Sequence, residues 1–180
     1  SDGLRTSLQR LDSEWLSDIS RIAPDLFTGN PKIPPVGPIT ERWQRQRLFE
    51  ALARAVLSTE RATLLVIDDL QWCSRDSLEW IHFLLRFATT THVLLVGTVR
   101  VEEIDGNQPL TELFNQLRSE AKLTEINLSP LNAEDTARLG ASVIGNQLSQ
   151  DQAITLFAET EGNPLFVIET IRASFADDKP

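Results

Sequence analysis

Two adjacent carboxylates, Asp68 and Asp69, close the apolar run Thr63–Ile67. An unbroken apolar run ending in acids is how a strand covered on both faces of a parallel sheet brings carboxylates to the sheet's carboxyl edge, where open α/β folds bind ligands. On that reading Leu64, Leu65, Val66 and Ile67 are all core, and the two acids suit a hydrated magnesium ion and the water beside it. A strand running into an Asp-rich turn would give the same residues, so the run by itself leaves both readings open. A second apolar run, His92–Thr98, leads through Val99 to Arg100. A guanidinium there could grip phosphate oxygens in bidentate fashion, and an ion pair with Glu102 or Glu103 is its ordinary alternative. A third group, Glu161-Gly162-Asn163-Pro164, reads on its own as a turn followed by a helix with proline in its first turn.

The succession DDLQW at 68–72, GTVR at 97–100 and EGNPLF at 161–166 resembles the signal-transduction ATPases with numerous domains, the STAND branch of the AAA+-related P-loop NTPases. It is nearest to the ATPase modules of large bacterial transcriptional activators. The resemblance spans most of the chain, from Glu41–Leu52 to the last helix, and the joint order of the motifs is far more specific than any one of them. It implies that Asp68 is the Walker B aspartate that holds magnesium through its water shell, and that Asp69 is the second acid, orienting or deprotonating the attacking water. It implies that Arg100 is the sensor arginine that reads the γ-phosphate. Pro164, with Gly162 and Asn163 shaping its turn, would pack against adenine in the lid. Two positions depart from the family pattern: Ser74 replaces an aspartate, and Val99 stands where an aromatic or cysteine is common. The phosphate-cradling loop GxxxxGK[ST] does not occur in these 180 residues.

The elements that must position these groups follow from periodicity. Leu4, Leu8, Leu11, Trp15, Ile19 and Ile22 predict one amphipathic helix, or two in line broken near Asp12-Ser13. Pro31–Pro38 predicts an irregular connection, and Thr40 is the expected cap of the next helix. The Thr63–Ile67 strand is followed by a helix from about Arg75 to Phe87 capped by Ser74. Next come a central strand at Val93–Thr98, a helix at Pro109–Ala121 and a strand at Leu123–Leu128 whose alternation suits an edge. Beyond Pro130 three short helices are expected, opening at Asn132 or Ala133, at Ser149 and at Asn163. The Asp177–Pro180 end is expected to fray.

Composition sets limits. A net charge of −9 argues against nucleic-acid binding by this piece, because such affinity is largely neutralisation of phosphates by cations. The single cysteine, Cys73, precludes an internal disulfide and accords with a reducing cytoplasm, and two histidines make a poor zinc set. No apolar run has the length of a membrane span.

The expected fold is α/β: residues 1–129 form the C-terminal part of a P-loop NTPase parallel sheet with flanking helices, and residues 130–180 a helical lid. The expected function is that of a fragment of a cytoplasmic regulatory ATPase switch. ATP or ADP and Mg2+ would bind in the intact parent and not to the fragment, whose partners would be the missing N-terminal part and possible further copies. The other class is a non-catalytic interaction or scaffold domain with a degenerate NTPase fold.

Overall fold

A computed structural model describes residues 8, 10–27, 37–58, 62–88 and 92–176. The chain is mixed α/β and mostly helical, with a small parallel sheet, and it divides into two compact units at Leu123/Thr124. The first unit holds helix α1 (Ser13–Ser20), helix α2 (Arg42–Leu57), strand β1 (Thr63–Ile67), helix α3 (Arg75–Phe87), strand β2 (Val93–Gly97) and helix α4 (Gln108–Ser119). The second holds helices α5 (Ala133–Ile144), α6 (Gln150–Thr160) and α7 (Pro164–Ala176).

Local chemistry explains where the helices start. The Ser74 hydroxyl accepts from the Ser77 amide at 3.2 Å, and the side chains of Asn107, Asn132 and Ser149 cap α4, α5 and α6 in the same way. Thr40 is not the cap of α2. The cap lies one residue later, at Glu41, because the Gln44 side chain reaches back to accept from the Glu41 amide at 3.0 Å and from the Thr40 amide at 2.8 Å. Helix α1 starts at Ser13, at the break offered as one alternative by the sequence, and Ile22 lies beyond its end and is exposed. Leu4, most of Pro31–Pro38 and Asp177–Pro180 lie outside the described residues.

The strands β1 and β2 pair in parallel, Thr63 opposite Val93 through Ile67 opposite Gly97. Ile67 and Leu95 pack on the main core of Leu70, Leu78, Ile81, Leu110, Leu113, Phe114 and Leu117, which α3, α4 and the turn after β1 supply. The opposite face is bare: Leu64 and Val66 are each 61% exposed, Leu94 63% and Val96 43%. The expectation that Leu64–Ile67 are all core therefore fails. An apolar run records strands able to be covered twice, and among the described residues only one layer of helices covers this pair.

The strand expected at Leu123–Leu128 does not form. Leu123 packs against the main core, but Thr124–Pro130 are exposed, Ile126 at 81% and Leu128 at 92%, and among the described residues the sheet consists of β1 and β2. A strand is stabilised by a hydrogen-bonded neighbour, and alternation alone supplies none. Among the described residues no third strand pairs with β1 or β2.

In the second unit α5, α6 and α7 enclose Leu156, Val167 and Ile171. Gly140 of α5 lets them approach, since a Cβ there would lie 2.8 Å from Leu148 and Leu156 and 2.9 Å from Ile171.

Candidate functional site

The sheet's register delivers three sequence-predicted residues to one edge. Because Ile67 is level with Gly97, the chain leaves β1 at Asp68 and leaves β2 at Thr98, side by side. The Thr98 hydroxyl donates to the Asp68 carboxylate in a short contact and accepts from the Asp69 amide at 2.9 Å. Backbone bonds from Thr98 to Ile67 at 3.1 Å and from Leu70 to the Thr98 carbonyl at 2.9 Å extend the ladder past both strands. Asp68, an exposed residue, thus has one carboxylate oxygen held by Thr98.

Asp69 is not set by strand alternation. It sits at φ 56° and ψ 56°, a left-handed conformation that aspartate tolerates better than most residues, and this reversal sends the chain into the 3-10 turn Leu70–Trp72. The two acids differ in direction because the backbone turns between them. Leu70 then plugs the core against Gly97, where an added Cβ would lie 2.3 Å from Leu70 Cδ1.

Gln71, which carries no expectation beyond membership of the DDLQW run, ties the edge together. Its buried side chain donates to Asp69 Oδ1 at 2.8 Å and accepts from the Arg100 amide at 3.4 Å, while its carbonyl accepts from Asn107 at 2.9 Å. One buried amide therefore links the ends of β1 and β2, and its main chain is fixed by the cap of α4. No local sequence pattern marks this role, because it depends on β2 lying beside β1.

Arg100 projects from the end of β2 with a 63% exposed side chain. Its Nε lies 4.0 Å from Asp69 Oδ1, and its guanidinium lies over the Trp72 ring at 5.9 Å from the centroid. The ion pair suggested to Glu102 or Glu103 is replaced by this looser one to Asp69. Trp72 is itself 72% exposed. Asp68, Asp69 and Arg100 thus form a small, solvent-open constellation of hard oxygens and one guanidinium.

Gly162, Asn163 and Pro164 belong to the second unit, where their positions have a local explanation. Gly162 has φ 75°, and a Cβ there would fall 2.0 Å from the Leu131 carbonyl oxygen, whose own amide donates to the Gly162 carbonyl at 2.9 Å. Asn163 caps α7 by accepting from the Leu165 amide at 3.0 Å, with Pro164 at the first helical position.

The donor set at the first unit's edge fits part of a magnesium–phosphate group. Magnesium keeps several waters and uses one or two carboxylates, which Asp68 and Asp69 could provide, and Arg100 matches phosphate oxygens. Among the described residues no group of three His, Cys, Asp or Glu side chains could hold a metal. No helix among them is long and apolar enough to cross a membrane. Elsewhere in the first unit the pKa of the Arg45 guanidinium is raised, with burial opposing but outweighed by Glu79 and Asp76, and that of the Glu120 carboxyl is lowered by Lys122 and His82. The chain matches no protein-family model, no curated protein and no solved structure.

Proposed function

We propose that this chain carries the metal-binding and phosphate-reading part of a regulatory ATPase switch of the STAND class, as in bacterial signal-transduction or transcriptional regulators. The observation that supports it best is the convergence of Asp68, Asp69 and Arg100 on one carboxyl edge of a parallel strand pair, in the order DDLQW and GTVR. Asp68 would hold magnesium through water with its other carboxylate oxygen, and Asp69 would orient a water beside the γ-phosphate. Arg100 would contact the γ-phosphate, and Gly162-Asn163-Pro164 would form the adenine-facing turn of a helical lid spanning residues 130–180. Magnesium would neutralise phosphate charge, and the chain's own task is to place two carboxylates and one cation around it.

The phosphate cradle would come from a segment outside these residues, adding a neighbour to the sheet and covering Leu64, Val66, Leu94 and Val96. Four exposed aliphatic side chains on one small parallel sheet accord with such a cover. The bare face also gives a scaffold reading something specific: a sheet that docks a partner and needs neither Asp68 nor Arg100.

Calorimetry with ATP and magnesium separates the two. The 180-residue chain is expected to bind no tighter than millimolar, since two carboxylates without a cradled triphosphate repel anions. The polypeptide that includes the cradling segment is expected to bind at micromolar levels or better. Micromolar binding by the 180-residue chain alone, or none by the longer polypeptide, would overturn the proposal.

A further inference from the structure

Three contacts of Arg100 come from the single turn that follows β1, and its carbonyl accepts from the Glu103 amide at 3.0 Å. Its guanidinium faces the Asp69 carboxylate at 4.0 Å and the Trp72 ring at 5.9 Å, and its amide donates to Gln71 at 3.4 Å. The backbone bond is anchored by a buried side chain, whereas both side-chain contacts are long and solvent-open. Position is therefore fixed at the main chain and left loose at the charged end. An exposed tryptophan is costly surface, and here its π-face is occupied by that cation.

We propose that Trp72 is a positioning residue that tethers Arg100 in a resting state, with Asp69 as counter-ion, and that a phosphate group arriving at the edge withdraws the guanidinium from both. The inference rests on the phosphate-reading role proposed for Arg100 and adds its regulation. An arginine held by two weak partners starts from a defined place yet is released by a bidentate oxyanion, whose hydrogen bonds are shorter and stronger than either contact. Phosphate and the tether then compete, so the tether sets how much phosphate is needed. Trp72 touches no phosphate in this scheme.

The test uses the 180-residue chain and follows the Arg100 Nε–Hε resonance by NMR, first alone and then with inorganic phosphate and magnesium. Without phosphate, the Trp72→Leu variant is expected to lose the ring-current shift of Arg100 and to show a more mobile Nε. An unchanged resonance and mobility would overturn the tether while leaving the phosphate-reading role of Arg100 standing. With phosphate, wild type is expected to lose the same ring-current shift at millimolar concentrations, and Trp72→Leu to reach half-saturation at about threefold less phosphate, as expected for removing an exposed cation–π contact. Equal or weaker phosphate binding by Trp72→Leu would mean that Trp72 presents the arginine or does nothing, and would overturn the proposal. Failure of phosphate to move the wild-type resonance at all would overturn the release and count against the phosphate-reading role as well. Trp72→Phe keeps a π-face and is expected to restore most of the wild-type behaviour, which a purely steric role for Trp72 would not require.

Discussion

Leu70 occupies the space that a side chain on Gly97 would need, and this contact joins the core to the candidate site. A methyl group at Gly97 would meet Leu70 Cδ1 at 2.3 Å, and Leu70 is 5% exposed, with little room to yield. Gly97→Ala is expected to destabilise the first unit by about 1–3 kcal/mol through overpacking, read as a lower urea midpoint with unchanged slope. Because Leu70 opens the turn that carries Gln71 and Trp72, the same substitution should displace Arg100. An unchanged midpoint would show that Leu70 has an alternative rotamer with space around it. At this scale the sequence was partly legible. That Asp68, Asp69 and Arg100 follow the ends of strands was readable because each follows an apolar run. The roles of Thr98 and Gln71 were not, because they depend on which strand lies beside which, and that pairing is non-local.

The helices were legible to within a residue or two wherever a capping side chain preceded an apolar stripe, as at Ser74, Asn132 and Ser149. The sheet was less so. A strand's burial depends on what covers each face, and Leu64 and Leu65 differ in exposure with no difference in residue type. The segment Leu123–Leu128 has the pattern of an edge strand, but among the described residues it joins no sheet. Ionic contacts between elements were likewise invisible in sequence: the buried Asp18 of α1 meets Arg47 of α2 at 3.1 Å, and Arg45 of α2 bridges Asp76 at 2.5 Å and Glu79 at 2.6 Å on α3. Glu120, just past α4, accepts from Lys122 and from His82 of α3, each at 3.0 Å, and these hold its carboxyl below the usual carboxylate range. A depressed folded-state pKa contributes stability above the ordinary glutamate value of about 4.3 and loses it as pH falls through the lower folded value. The stability difference between wild type and Glu120→Gln, from urea titrations, should therefore shrink as pH falls below the ordinary glutamate value. A difference that grows below pH 4 would contradict the assignment.

For the molecule as a whole, the units on either side of Leu123/Thr124 divide the proposed labour: one carries the acid and guanidinium edge, and the other the glycine turn and proline-started helix. Their separate cores show why each motif could be read without the other, since the second unit's helices follow from local caps alone. The bare face formed by Leu64, Val66, Leu94 and Val96 was not readable, because a sequence states that a strand can be buried and not whether its cover lies in the same residues. The most direct test of the proposed site is the ratio of ATP to ADP affinity, measured by calorimetry with magnesium in the nucleotide-competent polypeptide, for wild type and Arg100→Ala. Arg100 would contact a γ-phosphate that only ATP possesses, at about 1.5–3 kcal/mol for a charged hydrogen bond, so ATP affinity is expected to fall by about tenfold or more while ADP affinity stays within about twofold. Equal losses for both nucleotides, or none for either, would contradict a phosphate-reading role and leave Arg100 as the structural partner of Asp69.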